Sequence, residues 1–179
     1  MLIVSTLFAI LSYVGWGVGD VISIKIFRNN DSGAVTFYSA LYRIFIWLIL
    51  FPFFYNGFQN ITLIPLLFNL LAGCSSGLGY YFFGKAAKKI NPSLVAAISG
   101  GWGGVALLLS LIFFHEIMTI PQWVSVGLIF IGLFFTTFNL NRIQKIKLKN
   151  SGVMYAVGSL LLWGACGAFL KIPAQKYGW

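Results

Sequence analysis

The chain has 179 residues, of which 59% are hydrophobic and 8% charged, and its mean hydropathy is +0.90. A water-soluble domain carries about 25% charged residues, so the three acids here, Asp20, Asp31 and Glu116, cannot furnish a water-facing surface, and the composition is that of an integral membrane protein. The net charge of +9 does not point to nucleic acid, because the basic residues stand singly or in short clusters between long apolar runs, where they mark topology.

Six apolar runs follow one another, at 3–27, 34–55, 65–87, 93–114, 121–138 and 152–170. Each is close to the roughly 20 residues that an α-helix needs to cross the hydrocarbon. None alternates apolar with polar residues, which excludes barrel strands. The predicted fold class is therefore all-α, a polytopic membrane helical bundle.

The first run is too long for a cleaved signal peptide and lacks its basic start and small-residue exit. It carries Tyr13, Trp16 and Asp20 on one helical face. "RNNDSG" separates it from the second run, which holds Arg43. A charge there costs from about 2.5 to well over 10 kcal/mol if left in lipid, so Arg43 must face protein or water. Asp20 and Arg43 both lie roughly 10–13 Å from the first loop. Two readings stand: a structural ion pair joining helices one and two, or a charged gate or solute contact.

"NGFQNIT" precedes Pro65 and contains an Asn60 glycosylation sequon in a very short loop. The third run places Asn69, Gly73, Ser76, Gly77, Tyr80 and Gly84 at helical spacing. Gly73 and Gly77 form the small-xxx-small pattern of a packing groove, with Asn69 and Tyr80 as candidate cavity residues beside it. In "KKINPS" Asn91 is placed to cap the next helix, with Pro92 at its first position. The fourth run contains "SGGWGG", Ser99 to Gly104. So many glycines allow close helix approach, packing at Gly103, or a midplane break of the kind transporters use. Ser99 and Trp102 are cavity candidates, Trp102 equally readable as a lipid-facing aromatic. His115 and Glu116 close this run, with Glu116 expected to organise the turn near Thr119. Cys74 and Cys166 lie inside apolar runs as packing residues, and a single histidine leaves no metal-ligand spacing, so no metal or other cofactor is expected.

Lys25 and Arg28 follow the first run, Lys85, Lys88 and Lys89 close the third, and Arg142, Lys145, Lys147 and Lys149 follow the fifth. The opposite side has only Lys171 and Lys176. Counted alone, these charges put the first, third and fifth loops in the cytoplasm and the N-terminus outside.

Trp16-Gly17 returns as Trp163-Gly164, and Ala9 and Ser12 return as Ala156 and Ser159 at the same separation. Five runs lie within one period, so the sixth starts a second copy of opposite orientation, the arrangement of inverted-repeat transporters. Trp163 thereby joins the candidate cavity residues. The stretch 77–135 then resembles one repeat of the EamA-like transporters of the drug/metabolite transporter superfamily. The likeness rests on Ala86-Ala87-Lys88, Ser93-Leu94-Val95-Ala96, Glu116, Gln122 and Gly127, with Trp16-Gly17 and Arg43 in place. Departures are Gly103, where the family often has proline in helix four, and Asp20, which the pattern does not include.

The resemblance implies a first five-helix repeat at 1–140, a basic linker at 141–151 and the start of a second repeat at 152–179. A sixth helix alone has no repeat of its own to pack into, so the chain is expected to be a fragment lacking about four helices, completed by those helices or by a second copy. It also implies both ends in the cytoplasm, against the charge count. The expected function is transport of a small organic solute across the cytoplasmic membrane by alternating access, with the lipid bilayer and the solute as partners. The alternatives are a polytopic enzyme acting on lipids, disfavoured by so few acids and one histidine, and a non-transporting subunit or channel, for which no charge ring or pore-loop run is evident.

Overall fold

A computed structural model of the chain describes residues 2–54, 62–115, 118–137 and 151–177. Asn60, Glu116 and the basic linker at 141–150 lie outside the described residues, as do the side chains of Tyr13 and Gln122. The described residues form helices and no strand: α1 (Leu2–Asn29), α2 (Ser32–Phe54), α3 (Leu63–Ala87), α4 (Pro92–Gly100), α5 (Trp102–Phe114), α6 (Ile120–Thr137) and α7 (Ser151–Tyr177). Five spans are long and apolar enough to cross a membrane: Ile10–Asn29, Ser32–Phe53, Leu63–Ala87, Pro92–Phe114 and Ser151–Lys176. The fifth apolar run is the 18-residue α6, which rises about 27 Å.

Local chemistry sets the ends. Asn91 accepts a hydrogen bond from the Ser93 backbone N–H at 3.0 Å, and Pro92, which has no N–H to satisfy, opens α4. The fourth span then breaks into two helices at Gly101, whose N–H reaches back to the Ile98 carbonyl at 3.3 Å while its own carbonyl accepts from Gly104 at 2.9 Å. These tighter bonds turn the chain without leaving it, and the glycines on either side leave room for the bend. His115 ends α5 in the left-handed conformation, φ 51°.

At the basic end, Arg28 donates from Nε to the Ala87 carbonyl at 2.9 Å and from Nη2 to the Ile90 carbonyl at 3.1 Å, tying the end of α1 to the exposed carbonyls that close α3. Lys89 donates to Ser151 Oγ at 2.9 Å and lies over the Tyr155 ring. The α1, α3 and α7 termini thus share one face, which gathers Lys25, Arg28, Lys85, Lys88 and Lys89. Lys176 reaches Thr62 at the opposite face. The charge asymmetry of the sequence is an asymmetry of the folded bundle.

Asp31 accepts the Ala34 N–H at 3.0 Å in the first turn of α2. That bond, helped by the Gly33 N–H and by Lys88 and Lys85, holds its carboxyl below the ordinary carboxylate range. A lowered pKa favours the folded state above the unfolded-chain value, and the benefit disappears as pH falls through the folded one. The midpoint of thermal unfolding should therefore decline as pH drops below about 4. In Asp31→Asn that decline should be smaller, as read by melting the two proteins in detergent across the acid range.

The core sits toward the basic end and comprises Ile24, Phe27, Phe83, Ala86, Ala87, Val95 and Ala156. Ser23 beside Tyr80 and Phe27 beside Gly84 keep one spacing, so α1 and α3 run parallel. The sixth span packs along the bundle of the first five. Among the described residues, α7 with α3 has the most extensive contact, followed by α7 with α5. It runs antiparallel to α3, with Phe82 against Gly158 and Phe68 against Phe169 (ring centroids 5.9 Å apart). Along α5 it runs parallel, with Gly164 against Val105 and Gly167 against Ala106. Absent side chains at Gly158, Gly164 and Gly167 on α7 let the neighbouring helices approach closely.

The groove expected at Gly73 and Gly77 is a correction. A Cβ added at either position, or at Gly103, would meet nothing within 4 Å. The close approaches on α3 are instead at Gly79, where the Trp163 ring would lie 2.5 Å from an added Cβ, and at Gly84, against Phe27. A spacing pattern shows which residues share a stripe, but not whether another helix covers it.

Candidate solute cleft

A cleft of about 780 Å³ opens between α1, the α4–α5 break and α6. Ser12 and Trp16 line it from α1, Gly100 to Gly104 and Leu107 from the broken span, and Val126 and Phe130 from α6. The wall is mostly apolar, with the Ser12 hydroxyl and the backbone of the glycine run as its polar groups.

The break is what aims Trp102. Without it the indole would continue the α4 spiral, whereas the structure turns the half-buried ring onto Trp16, centroids 5.8 Å apart and planes 29° from parallel. Trp16 and Trp102, both candidates in the sequence, are therefore brought together as one aromatic wall. Gly103 and Gly104 leave the space beside them; Phe130 already fills the space at Gly104, while Gly103 remains open.

The remaining candidates divide. Arg43 and Tyr80 meet, the guanidinium carbon 4.9 Å from the ring centroid. Tyr80 in turn donates from Oη to Ser23 Oγ at 3.0 Å and packs edge-on against Phe27 at 4.9 Å. Among the described residues no direct ion pair joins Arg43 to Asp20. The arginine spreads its charge over an aromatic face, and α1 is reached through Tyr80, by its hydroxyl on Ser23 and its ring on Phe27. Trp163 belongs to the α3–α7 seam: it packs on Phe83 at 5.4 Å and donates from Nε1 to the Ser76 carbonyl at 3.3 Å. Asn69 is exposed on α3. Ser99 is buried with no hydrogen-bond partner for its hydroxyl, as is Ser159 on α7.

Asp20 has a distinctive place. Between Leu7 and Ile22 every α1 side chain with a described environment is exposed except that of Asp20, which is half-buried. One turn further, Ile24 and Phe27 are buried. Asp20 thus stands between the buried end of α1 and its exposed stretch, one turn from Trp16 on the same face. By the shared register it lies level with Gly77 on α3, whose missing side chain leaves open space. Sequence reasoning missed Leu107, Val126 and Phe130, since a cleft-lining Leu, Val or Phe has the same signature as a lipid-facing one.

The family model described as the EamA-like transporter family matches residues 4–138. No curated protein and no solved structure matches the chain.

Proposed function

The chain belongs to the EamA-like transporter family, and on that premise we propose that it moves a small organic solute across the cytoplasmic membrane by alternating access. The observation that supports this reading is the cleft: about 780 Å³, within the size range of small-molecule sites, beside a span interrupted at Gly101. A broken helix is a natural hinge, because rotation there swings Trp102 without unfolding either half. The inverted relation of Trp16-Gly17 to Trp163-Gly164 supplies the two elements that would rock against each other. A lipid-modifying enzyme finds less support, since the lining residues among those described include no acid, histidine or cysteine.

Gly103 offers a direct test. It lines the cleft, and a larger side chain there has free space to enter. The chain is reconstituted in liposomes and uptake is measured across a panel of labelled amino acids, sugars, amines and carboxylates. At least one solute should show saturable uptake that falls about tenfold or more in Gly103→Leu, for loss of well-packed solute contacts, with membrane abundance unchanged. Saturable uptake unaffected by Gly103→Leu would place the pathway elsewhere, and no saturable uptake of any solute would remove the transport reading.

A further inference from the structure

We infer that the face where α1 and α3 end seats the headgroup of an anionic lipid, held by Lys25 and Lys88 with Arg28, Lys85 and Lys89 around them. The fold gathers these cations from two helices and fixes part of them in place. Arg28 is tied to the Ala87 and Ile90 carbonyls, which anchors its charge at the junction of α1 with α3. Lys85 lies over the Tyr81 ring, 5.2 Å from its centroid. Lys89 lies over the Tyr155 ring at 5.1 Å and donates to Ser151. Lys25 and Lys88 are exposed, and among the described residues no ring or carbonyl contact holds them. Asp31, the acid at this face, gives its carboxylate to the Ala34 N–H. One carboxylate cannot balance the cations around it, so the face keeps a surplus of positive charge.

Depth decides the partner. Membrane-length spans end here at Asn29 and Ala87, and others begin here at Ser32, Pro92 and Ser151, so the face lies level with the headgroups. Tyr81 and Tyr155, beneath Lys85 and Lys89, are the residue type that membrane interfaces favour. The helices that begin here turn their positive ends toward the face, while Arg28 covers carbonyls at the negative end of α3. A lipid arrives at this depth already, with its chains along the spans, and loses less freedom on binding than an anion taken from water. Each basic side chain near the surface strengthens the attraction to an anionic lipid about fivefold. The opposite face is built differently: Lys171 lies over the Phe114 ring and Lys176 donates to Thr62.

The test is binding of dioleoylphosphatidylglycerol and dioleoylphosphatidylcholine to the full chain in an uncharged detergent, read by native mass spectrometry. The wild-type chain should hold the phosphatidylglycerol about tenfold or more tightly than the phosphatidylcholine. Lys25→Gln/Lys88→Gln should bring the two lipids to within about threefold of each other, and Lys25→Arg/Lys88→Arg should keep the preference. Lys171→Gln/Lys176→Gln removes the same charge at the opposite face and should also keep it. Equal binding of the two lipids by the wild-type chain overturns the inference without any variant, so a folding defect cannot shield it. A preference that survives Lys25→Gln/Lys88→Gln puts the lipid elsewhere and overturns it. A preference lost equally in the opposite-face variant reduces the effect to net charge and overturns it as well. Displacement of bound phosphatidylglycerol by sodium phosphate, but not by sodium chloride at equal ionic strength, assigns the face to a soluble anion and overturns the lipid.

Discussion

Gly84→Leu should remove α1 from its place in the bundle and sharply lower the amount of folded protein. A Cβ at position 84 would overlap the Phe27 ring. That ring is fully buried and cannot withdraw, being held edge-on by Tyr80 at 4.9 Å and Phe83 at 6.3 Å. Phe27 and Ile24 are the buried apolar residues of α1 among those described, so pushing Phe27 out loosens the contact that anchors the helix. Overpacking of this kind costs about 1–3 kcal/mol and more where neighbours cannot shift; with a rigid ring as the obstacle, the upper part of that range is expected. Gly73→Leu is the control. It lies on the same helix, where an added Cβ meets nothing within 4 Å, and should leave folding unchanged. Both are read by size-exclusion recovery and thermal melting in detergent. Equal recovery of the two variants would mean that the Phe27–Gly84 contact does not hold α1.

Trp163→Ala should be the most damaging single truncation on α7, and its damage should appear in stability before solute preference. The indole fills the space left by Gly79, packs on Phe83 at 5.4 Å and satisfies its N–H on the Ser76 carbonyl at 3.3 Å. Truncating a tryptophan packed in this way costs about 3–5 kcal/mol, a value set in membranes by lost van der Waals packing rather than by hydration. Recovered protein should therefore melt earlier while ranking the solutes as the wild type does. Trp102→Ala should do the reverse, changing solute ranking at nearly unchanged melting, because its ring lines the cleft. If Trp163→Ala alters solute ranking with unchanged melting, Trp163 belongs to the pathway and not to the seam.

The two tryptophans show where sequence reasoning stops. Trp16-Gly17 and Trp163-Gly164 look alike in the chain, and the sequence makes both tryptophans cavity candidates. In the bundle, one faces a cleft and the other a glycine of α3. The difference arises from what is packed against each helix. Along α7 lie α3 and α5, while α1 before Asp20 borders the cleft and is exposed on its described side chains. The same limit explains the misplaced groove on α3. Gly73, Gly77, Gly79 and Gly84 are all small residues on one helix, and only the positions of Phe27 and Trp163 separate those that are filled from those that face open space. Asp20 and Arg43 have matched depth, which suggested a pair, yet depth does not fix direction around the axis, and Tyr80 took the arginine.

What the sequence determined by itself is what the bilayer and the local backbone impose. Apolar run lengths gave helices, because in hydrocarbon every backbone polar group must be satisfied within its own segment. Asn91 and Pro92 gave the start of the fourth span, while the Gly100–Gly104 run allowed close approach or a break, and the fold took the break. The placing of Lys and Arg gave the two faces, and the ordered motifs gave the family. The tertiary structure alone decided the seat of α7, the aromatic wall of the cleft and the half-buried place of Asp20. In a chain that is apolar all round, hydrophobic periodicity no longer distinguishes core from lipid, so the choice of helix faces rests on shape, and shape is settled only when the helices meet.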